Sequence, residues 1–241
     1  EVIENVALAY SVWLYNQFHC VVFSTEAHRE FFVHDGLDVA STVISNGVDT
    51  KRYHPGDDGV REVEARYNLP AGPRILFVSR LARDKEIDVL IRGMKRLSGP
   101  QQAHLLLVGR GDEREALETL RDELGLQECV HFLGYVPEED LPAIYRASDL
   151  FSMMSIYEVQ SIPTLQALAT GLPVVAADAV ALPEIVHDGI NGFLVPPRNP
   201  EALATAWTSI LRSPEMAARM GQESLVIVRE HAETYTFDQY E

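Results

Sequence analysis

Residues 155–178 read SIYEVQSIPTLQALATGLPVVAAD and predict a loop, a helix, a tight stop and a buried strand in succession. Ser161 is suited to the N-cap of this helix, and Pro163 falls in its first turn, where a missing N–H costs nothing. Gly171 can take the left-handed conformation that ends a helix. The apolar run Val174–Ala177 is suited to a strand buried on both faces. The N-terminus of the helix therefore points out of a loop at the end of a sheet.

The start of this helix is suited to an anion, because unpaired backbone N–H groups and the helix dipole both favour negative charge. Glu158 lies just before the helix, and Gln166 lies eight residues later, one turn inside it. Taken alone, this pattern also fits any strand-loop-helix unit of an α/β protein, with Glu158 as a solvated loop acid.

The same stretch resembles the donor-binding signature of retaining GT-B glycosyltransferases, the glycosyl transferases group 1 (glycogen-synthase-like) family. The resemblance rests on Glu158, the small-residue helix and the Gly-Leu-Pro-Val-Val run from Gly171. It implies that Glu158 contacts the transferred sugar and that Gln166 binds the ribose hydroxyls. The backbone implied to hold the donor diphosphate belongs to Val159, Gln160, Ser161 and Ile162. Two departures are plain, since Gln166 replaces a second Glu and Val-Gln-Ser replaces a Gly-rich run.

From residue 74 onward the chain alternates between strand and helix patterns. This alternation predicts an α/β fold with a Rossmann-like parallel sheet, helices on both faces and ligands at the carboxyl ends of the strands. The resemblance identifies it with the GT-B C-terminal domain. The expected strands are 75–78, 104–108, 130–133, 150–153, 174–177 and 193–195, and the expected helices include 87–97, 116–124, 141–147, 200–211 and 214–230.

A basic loop follows the first strand of this sheet. Arg80 and Lys85 stand five residues apart, so they can converge on one pair of phosphates. The segment resembles the family's Gly-Arg-Leu-x-x-x-Lys, whose Arg and Lys neutralise the leaving diphosphate, although Ser79 stands in place of Gly. The simpler interpretation is a solvated basic loop that includes Arg83 and Asp84.

Other segments also fit the family in order and spacing. Gly109 lies in a Val-Gly-x-Gly turn that the family places near the nucleotide. The backbone around Tyr135 and Val136 is implied to hold the base, whereas half-buried packing is the commoner role of such a Tyr. Glu184, in Leu-Pro-Glu-Ile-Val, fits as well, although an acid at the start of a helix is its simpler interpretation.

The first 45 residues predict helix, strand, helix and strand, with strands at 20–25 and 41–44. Asn46-Gly47-Val48-Asp49 resembles the family's passage from the acceptor-side domain to the donor domain. We therefore expect 1–45 to be the tail of an N-terminal acceptor-side domain, 46–72 an interdomain connection, and 73–241 the nucleotide-sugar-binding domain with its C-terminal helices. The bulk of the acceptor-side domain is expected to be absent.

Composition narrows the function classes. The chain has 241 residues and a formal net charge of −16, which argues against nucleic acid or an anionic membrane as a partner over the whole surface. The uncharged stretch 5–25 is interpreted as an amphipathic helix and a strand, and no integral membrane segment is expected. Cys20 and Cys129 predict buried free thiols in a reducing, cytoplasmic setting. Without an Asp-x-Asp or a zinc-like spacing, no metal or other cofactor is expected.

These features predict part of a metal-independent glycosyltransferase that takes sugar from a UDP-, GDP- or ADP-sugar with retention of configuration. Glu158, Arg80 and Lys85 would be the catalytic residues, and the isolated chain would have negligible activity. The base, sugar and acceptor stay open, as does peripheral membrane contact through the missing domain. Two alternatives are a sugar-nucleotide 2-epimerase-like GT-B protein and a non-catalytic nucleotide-binding or scaffold module.

A Gln166→Glu substitution tests the ribose assignment. A carboxylate accepts hydrogen bonds from both ribose hydroxyls, and charge-assisted bonds are about twice as strong as neutral ones. We expect Gln166→Glu to tighten nucleotide binding, measured by calorimetric titration. Unchanged or weaker binding would contradict the placement of Gln166 on the ribose.

Overall fold

The structure is a computed structural model that describes residues 2–97 and 103–240. Its β-strands are β1 (Cys20–Phe23), β2 (Ala40–Val43), β3 (Arg74–Val78), β4 (His104–Val108), β5 (Val130–Gly134), β6 (Leu150–Met153), β7 (Val174–Ala177) and β8 (Gly192–Val195). Its α-helices are α1 (Val2–Tyr15), α2 (Glu26–His34), α3 (Val60–Tyr67), α4 (Ile87–Arg96), α5 (Arg114–Glu123), α6 (Leu141–Arg146), α7 (Ile162–Ala169), α8 (Pro200–Leu211), α9 (Pro214–Ile227) and α10 (Glu233–Asp238). Short 3-10 turns cover Arg83–Lys85, Leu182–Glu184 and Val228–His231.

The main sheet has the strand order β5-β4-β3-β6-β7-β8, with every pair parallel. Strands β4, β6 and β7 are buried along their whole length, whereas the edge strand β5 is partly exposed from its second residue on. A strand covered on both faces must be apolar throughout, which is why Val-Val-Ala-Ala predicted β7. The predicted Rossmann-like sheet is confirmed.

The chain changes direction across the sheet after β5. Successive strands are added outward from β3 to β5, and the chain then returns to place β6 on the other side of β3. Because parallel crossovers are right-handed, the helices of the two halves lie on opposite faces. Accordingly α4 packs with α5, whereas α7 packs with α6 and α9; α8, which follows β8, crosses to pack against α4. The carboxyl ends of β3 and β6 thus form a topological switch point, where α/β sheets bind ligands.

The N-terminal elements form a second, smaller sheet in which β1 pairs with β2 in parallel. Val12, Phe23 and Phe32 are buried in a small core of their own beside this sheet. The sequence predicted a strand through Thr25, but β1 ends at Phe23. Thr25 instead takes an extended conformation as the N-cap of α2, where its hydroxyl accepts from the His28 N–H at 3.4 Å.

Several predicted helix ends differ from the structure by a few residues. The predicted helix 87–97 ends at Arg96, and the predicted helix 116–124 runs from Arg114 to Glu123. The predicted helix 214–230 is α-helical only to Ile227 and continues as a 3-10 turn. Fraying and 3-10 turns at helix ends are not encoded in apolar periodicity, so the pattern places the helix but not its last residues.

The prediction of two buried thiols is wrong. Cys20 is exposed and Cys129 is half-buried. Cys20 is the first residue of β1, and Cys129 lies just before β5, where it packs against the main core but stays partly exposed, so apolar neighbours in sequence did not ensure full burial.

Among the described residues, no helix combines the length and the apolar character needed to cross a membrane.

The stability of the fold should depend on three histidines. Burial lowers the pKa of His28, His131 and His231 below the ordinary 6.5, and His131 also lies 3.1 Å from the ring nitrogen of His104. A lowered folded-state pKa means that the unfolded chain binds more protons near that pH, so stability is complete above pH 6.5 and falls on acidification. We expect urea denaturation to show a loss of stability from pH 7 to 5.5.

The His131→Gln variant should lose part of this pH dependence. The matched control is His19→Gln, which replaces an exposed histidine and should leave the dependence unchanged. An equal pH slope in wild type and His131→Gln would show that burial of His131 does not contribute.

Candidate functional site

The switch point brings together the two loops that the sequence singled out. The loop after β3 carries Lys85, and the loop after β6 carries Glu158. The Lys85 Nζ lies 2.6 Å from the Glu158 Oε1, and each side chain is 10% exposed. Asp84 adds a second carboxylate oxygen 3.2 Å from the same ammonium. Since β3 and β6 are neighbours in the sheet, residues 73 apart in sequence form one buried ion pair.

The path of the loop after β3 is held by backbone contacts with the glycine turn after β4. The Leu81 N–H donates to the Arg110 carbonyl at 2.9 Å, and the Glu113 N–H donates to the Leu81 carbonyl at 3.1 Å. Gly109 has a φ of +139°, and a Cβ there would lie 1.8 Å from the Ser79 carbonyl oxygen. Gly109 therefore allows two backbone segments to come into contact, and this contact sets the backbone position of Arg80.

Arg80 is exposed, and among the described residues no carboxylate forms an ion pair with it. The turn places Arg80 between Ser79 and Leu81, which are both fixed by backbone hydrogen bonds. Its guanidinium therefore keeps its charge available for an anionic ligand.

The loop from Glu158 to Ile162 leads into α7 and is called the donor loop below, after the role that the family resemblance predicts for it. Among the residues that the structure describes, none accepts a hydrogen bond from the backbone N–H groups of 158–162. Ser161 occupies the predicted N-cap position, but its side chain makes no cap bond; its hydroxyl accepts instead from the buried Thr164 hydroxyl at 2.8 Å. The helix start therefore keeps its amide groups available.

Gln166 lies on α7 and is partly exposed. The buried Tyr145 hydroxyl is 3.0 Å from the Gln166 Oε1 and 3.0 Å from the Pro163 carbonyl oxygen. This contact engages the oxygen of the Gln166 amide in a hydrogen bond from a buried phenol. The role of Gln166 on a ribose stays a prediction.

The two residues expected near the base differ in exposure. Val136 is buried, whereas Tyr135 is 58% exposed. The Arg110 guanidinium lies 5.3 Å from the centroid of the Tyr135 ring, an arrangement that orients the ring by a cation–π contact. Tyr135 therefore presents an open aromatic face beside the glycine turn.

The structure adds Thr25 to the contacts of this loop, and it shows for Glu184 partners that the sequence did not indicate. The Thr25 hydroxyl donates to the carbonyl of Val159 at 2.9 Å, and Thr25 is only 2% exposed. Glu184 ends its own 3-10 turn, yet its carboxylate accepts from the N–H groups of Glu26 and Ala27 at 3.0 and 2.7 Å. Glu184 is thus an acid at a helix start, but the helix is α2, 158 residues away along the chain.

A second contact joins the donor loop to the first 46 residues. The Gln160 Oε1 accepts from the Asn46 N–H at 2.7 Å, and the Gln160 Nε2 donates to the Ser45 hydroxyl, also at 2.7 Å. The Ser45 hydroxyl lies 2.6 Å from the Nδ1 of His231. The donor loop is therefore in contact with the residues just after β2, and through Ser45 it is linked to the C-terminal 3-10 turn.

Nothing in the described part of the chain resembles a metal centre, since no three His, Cys, Asp or Glu side chains cluster there. Positive charge at the site comes from Lys85, Arg80 and the amides of the donor loop. The arrangement can therefore bind an anion through fixed charges and backbone N–H groups.

The family profile described as "Glycosyl transferases group 1" matches residues 62–225. The chain belongs to this family. The match covers β3 to β8 and includes both loops of the site. The family assignment made from the sequence is confirmed.

Two relatives illustrate the similarity. An uncharacterized glycosyltransferase of Methanocaldococcus jannaschii is 33% identical over 185 residues, covering 77% of this chain and 45% of that protein. The GDP-mannose-dependent alpha-(1-6)-phosphatidylinositol monomannoside mannosyltransferase of Mycolicibacterium smegmatis is 36% identical over 195 residues, covering 77% and 51%. The chain thus spans about half the length of the curated relatives it matches.

Solved structures agree on the fold. Sucrose-phosphate synthase from Thermosynechococcus elongatus superposes with a TM-score of 0.86 at 28% identity, covering 98% of this chain and 60% of that one. HepE of Anabaena, solved in complex with UDP, superposes with a TM-score of 0.88 at 26% identity, covering 97% and 65%. Because the superpositions cover 98% and 97% of this chain, the shared fold includes most of the first 45 residues as well as the main sheet.

The buried ion pair gives a prediction about stability. Lys85→Met would leave a buried carboxylate unpaired, and Glu158→Gln would leave the ammonium with Asp84 as its remaining carboxylate. Breaking such a pair from one side costs roughly 3 kcal/mol, whereas removing both charges costs less than the sum. We expect Lys85→Met to lower the urea-denaturation free energy more than Glu158→Gln does, and the double variant to recover part of the loss.

The matched control is the pair of Arg92 and Asp88 on α4, whose side chains are each 48% exposed. Changing either to a neutral residue should cost less than about 1 kcal/mol. Strictly additive losses in the Lys85 and Glu158 variants would contradict a coupled pair.

Proposed function

We propose that the chain is the donor-binding part of a retaining glycosyltransferase that takes a sugar from a nucleoside-diphosphate sugar. The observation that carries the proposal is the donor loop. Its backbone N–H groups have no acceptor among the described residues, and Lys85 and Arg80 lie on the neighbouring loop. A diphosphate is the anion whose size and charge fit amides, a helix N-terminus and two cations together.

The chemistry follows from where charge develops. When the bond between the sugar and the diphosphate breaks, negative charge grows on the departing phosphate oxygens. Fixed N–H groups and cations that face this charge stabilise the transition state without reorganising. Arg80 and Lys85 would supply by side chains what a metal ion supplies elsewhere, so the proposal requires no cofactor.

Glu158 would orient the donor sugar. Its carboxylate is buried against Lys85, and one oxygen is engaged by the ammonium at 2.6 Å. The other oxygen can accept from a sugar hydroxyl, which positions the sugar next to the diphosphate. Lys85 would then contact both the carboxylate and a phosphate, which ties sugar position to charge neutralisation.

Similar proteins narrow the choice of donor nucleotide. HepE of Anabaena was solved with UDP-glucose, and the Mycolicibacterium smegmatis relative is named as GDP-mannose-dependent. A UDP- or GDP-sugar is therefore favoured, with ADP-sugar as the third candidate. In this proposal Gln166 would bind the ribose, and the backbone beside Tyr135 and Val136 would bind the base.

The proposal includes a larger protein, with 1–45 as the tail of the acceptor-side domain and 46–72 as the connection. On the small sheet, β1 pairs with β2 along one edge only, and the α1 side chains of Val6, Tyr10 and Trp13 are exposed. Apolar surface of this kind is normally covered. Since groups needed for transfer would come from that domain, the isolated chain would bind the donor and show negligible activity.

The test is calorimetric titration of this chain with UDP, GDP and ADP, each beside its monophosphate. We expect one diphosphate to bind clearly more tightly than its monophosphate. Arg80→Ala should weaken that diphosphate more than tenfold, about 1.4 kcal/mol, because a cation facing the phosphates is lost. Arg83→Ala is the control, since Arg83 is an exposed arginine of the same loop that lines a different cavity with Glu86 and Arg198.

A non-catalytic scaffold gives the opposite result. It would bind no diphosphate preferentially, and neither arginine variant would matter. Equal losses in Arg80→Ala and Arg83→Ala would indicate general electrostatic attraction and would contradict a built diphosphate site.

A further inference from the structure

The ends of the donor loop are held within the domain that carries it, and its middle is held by the N-terminal part of the chain. Glu158 contacts Lys85, and Ser161 contacts Thr164, so these two residues are bound within the donor domain. The two residues between them contact the N-terminal part of the chain. Thr25 donates to the carbonyl of Val159, and Asn46 and Ser45 bind the side chain of Gln160.

The contact of Thr25 fixes the orientation of one peptide group. In a planar trans peptide, the carbonyl and the N–H point to opposite sides of the chain. The Thr25 hydroxyl holds the Val159 carbonyl toward α2 at 2.9 Å, so the N–H of Gln160 is directed away from α2. The reverse orientation would present a carbonyl oxygen where an anion is to bind, and oxygen would repel phosphate.

Thr25 is itself rigidly placed. It is 2% exposed and is the N-cap of α2, and the two residues that follow it donate their N–H groups to the Glu184 carboxylate. A carboxylate at a helix N-terminus is favoured by the helix dipole, which stabilises this contact. Glu184 comes from the turn after β7, so the start of α2 is held against the same sheet that carries the donor loop.

We propose that Thr25 is a positioning residue for the donor diphosphate, acting through the Val159 carbonyl to direct the Gln160 N–H at the phosphates. The inference rests on the proposed function, because it concerns the same diphosphate site. It makes the first 45 residues a determinant of donor affinity.

The test is titration of the 241-residue chain with the nucleoside diphosphate that wild type prefers and with the matching monophosphate. Thr25→Val keeps the size of the side chain but removes the hydroxyl, and Thr25→Ser keeps the hydroxyl. We expect Thr25→Val to bind the diphosphate five- to tenfold more weakly, with the monophosphate within twofold of wild type. Thr25→Ser should bind both ligands within twofold of wild type.

A control separates positioning from loss of a helix cap. Ser213 is the N-cap of α9, where its hydroxyl accepts from the Met216 N–H at 3.3 Å. Ser213→Ala should lower the melting temperature without changing either affinity. If Thr25→Val behaves like Ser213→Ala, Thr25 is only a cap and the inference is overturned.

A second measurement does not depend on the variants folding. In ¹⁵N-labelled wild type, the Gln160 backbone amide signal should shift on addition of the diphosphate and shift much less with the monophosphate. If the Gln160 amide signal does not shift when the diphosphate binds, the inference is overturned. A wild-type chain that binds no diphosphate overturns the proposed function itself, whereas binding that Thr25→Val leaves intact overturns only the role of Thr25.

Discussion

The pairing of β3 with β6 is the contact on which the rest of the structure depends. Ile75 lies beside Leu150 and Leu76 beside Phe151, with all four side chains fully buried. This pairing joins two halves of the sheet that the chain builds in opposite directions, and it places their helices on opposite faces. It also makes neighbours of two loops that are far apart in sequence. The Lys85–Glu158 ion pair is a direct result of this one strand register.

A negative net charge does not conflict with the proposed anion site, because that site depends mainly on groups close to the ligand. Of the 36 acidic side chains, Glu158 and Asp84 lie at the Lys85 ammonium, where they limit its free charge. The backbone N–H groups of the donor loop carry partial positive charge that no titration removes. These groups act on a ligand at contact distance, whereas surface charges more than about a Debye length away are largely screened by salt. Composition therefore excluded broad polyanion binding without excluding one diphosphate.

The sequence predicted well what is local. Apolar runs placed the central strands, glycine and proline placed the stop before β7, and the spacing of Arg80 and Lys85 placed a basic loop at a strand end. It failed where a residue acts on a distant segment. Nothing near Thr25 in sequence indicates that its hydroxyl binds the Val159 carbonyl, and the Glu184 carboxylate serves a helix 158 residues away. The sequence also failed for one local contact: the Ser161 hydroxyl was predicted to cap α7, but it accepts a hydrogen bond from the Thr164 hydroxyl three residues later. Hydrogen bonds with several available partners are decided by tertiary packing.

Because the backbone of Ser79 contacts Gly109, the path of the loop after β3 does not depend on the side chains that would bind a ligand. Main-chain atoms determine where this loop runs, and main-chain atoms are common to every amino acid. The backbone at Arg80 is held by contacts that do not involve its side chain, so Arg80 can be replaced without moving the loop. A protein built in this way can acquire a preference for another ligand by single substitutions at exposed positions. The two glycines of the turn are what keep that freedom, since a Cβ at either would meet the opposing backbone.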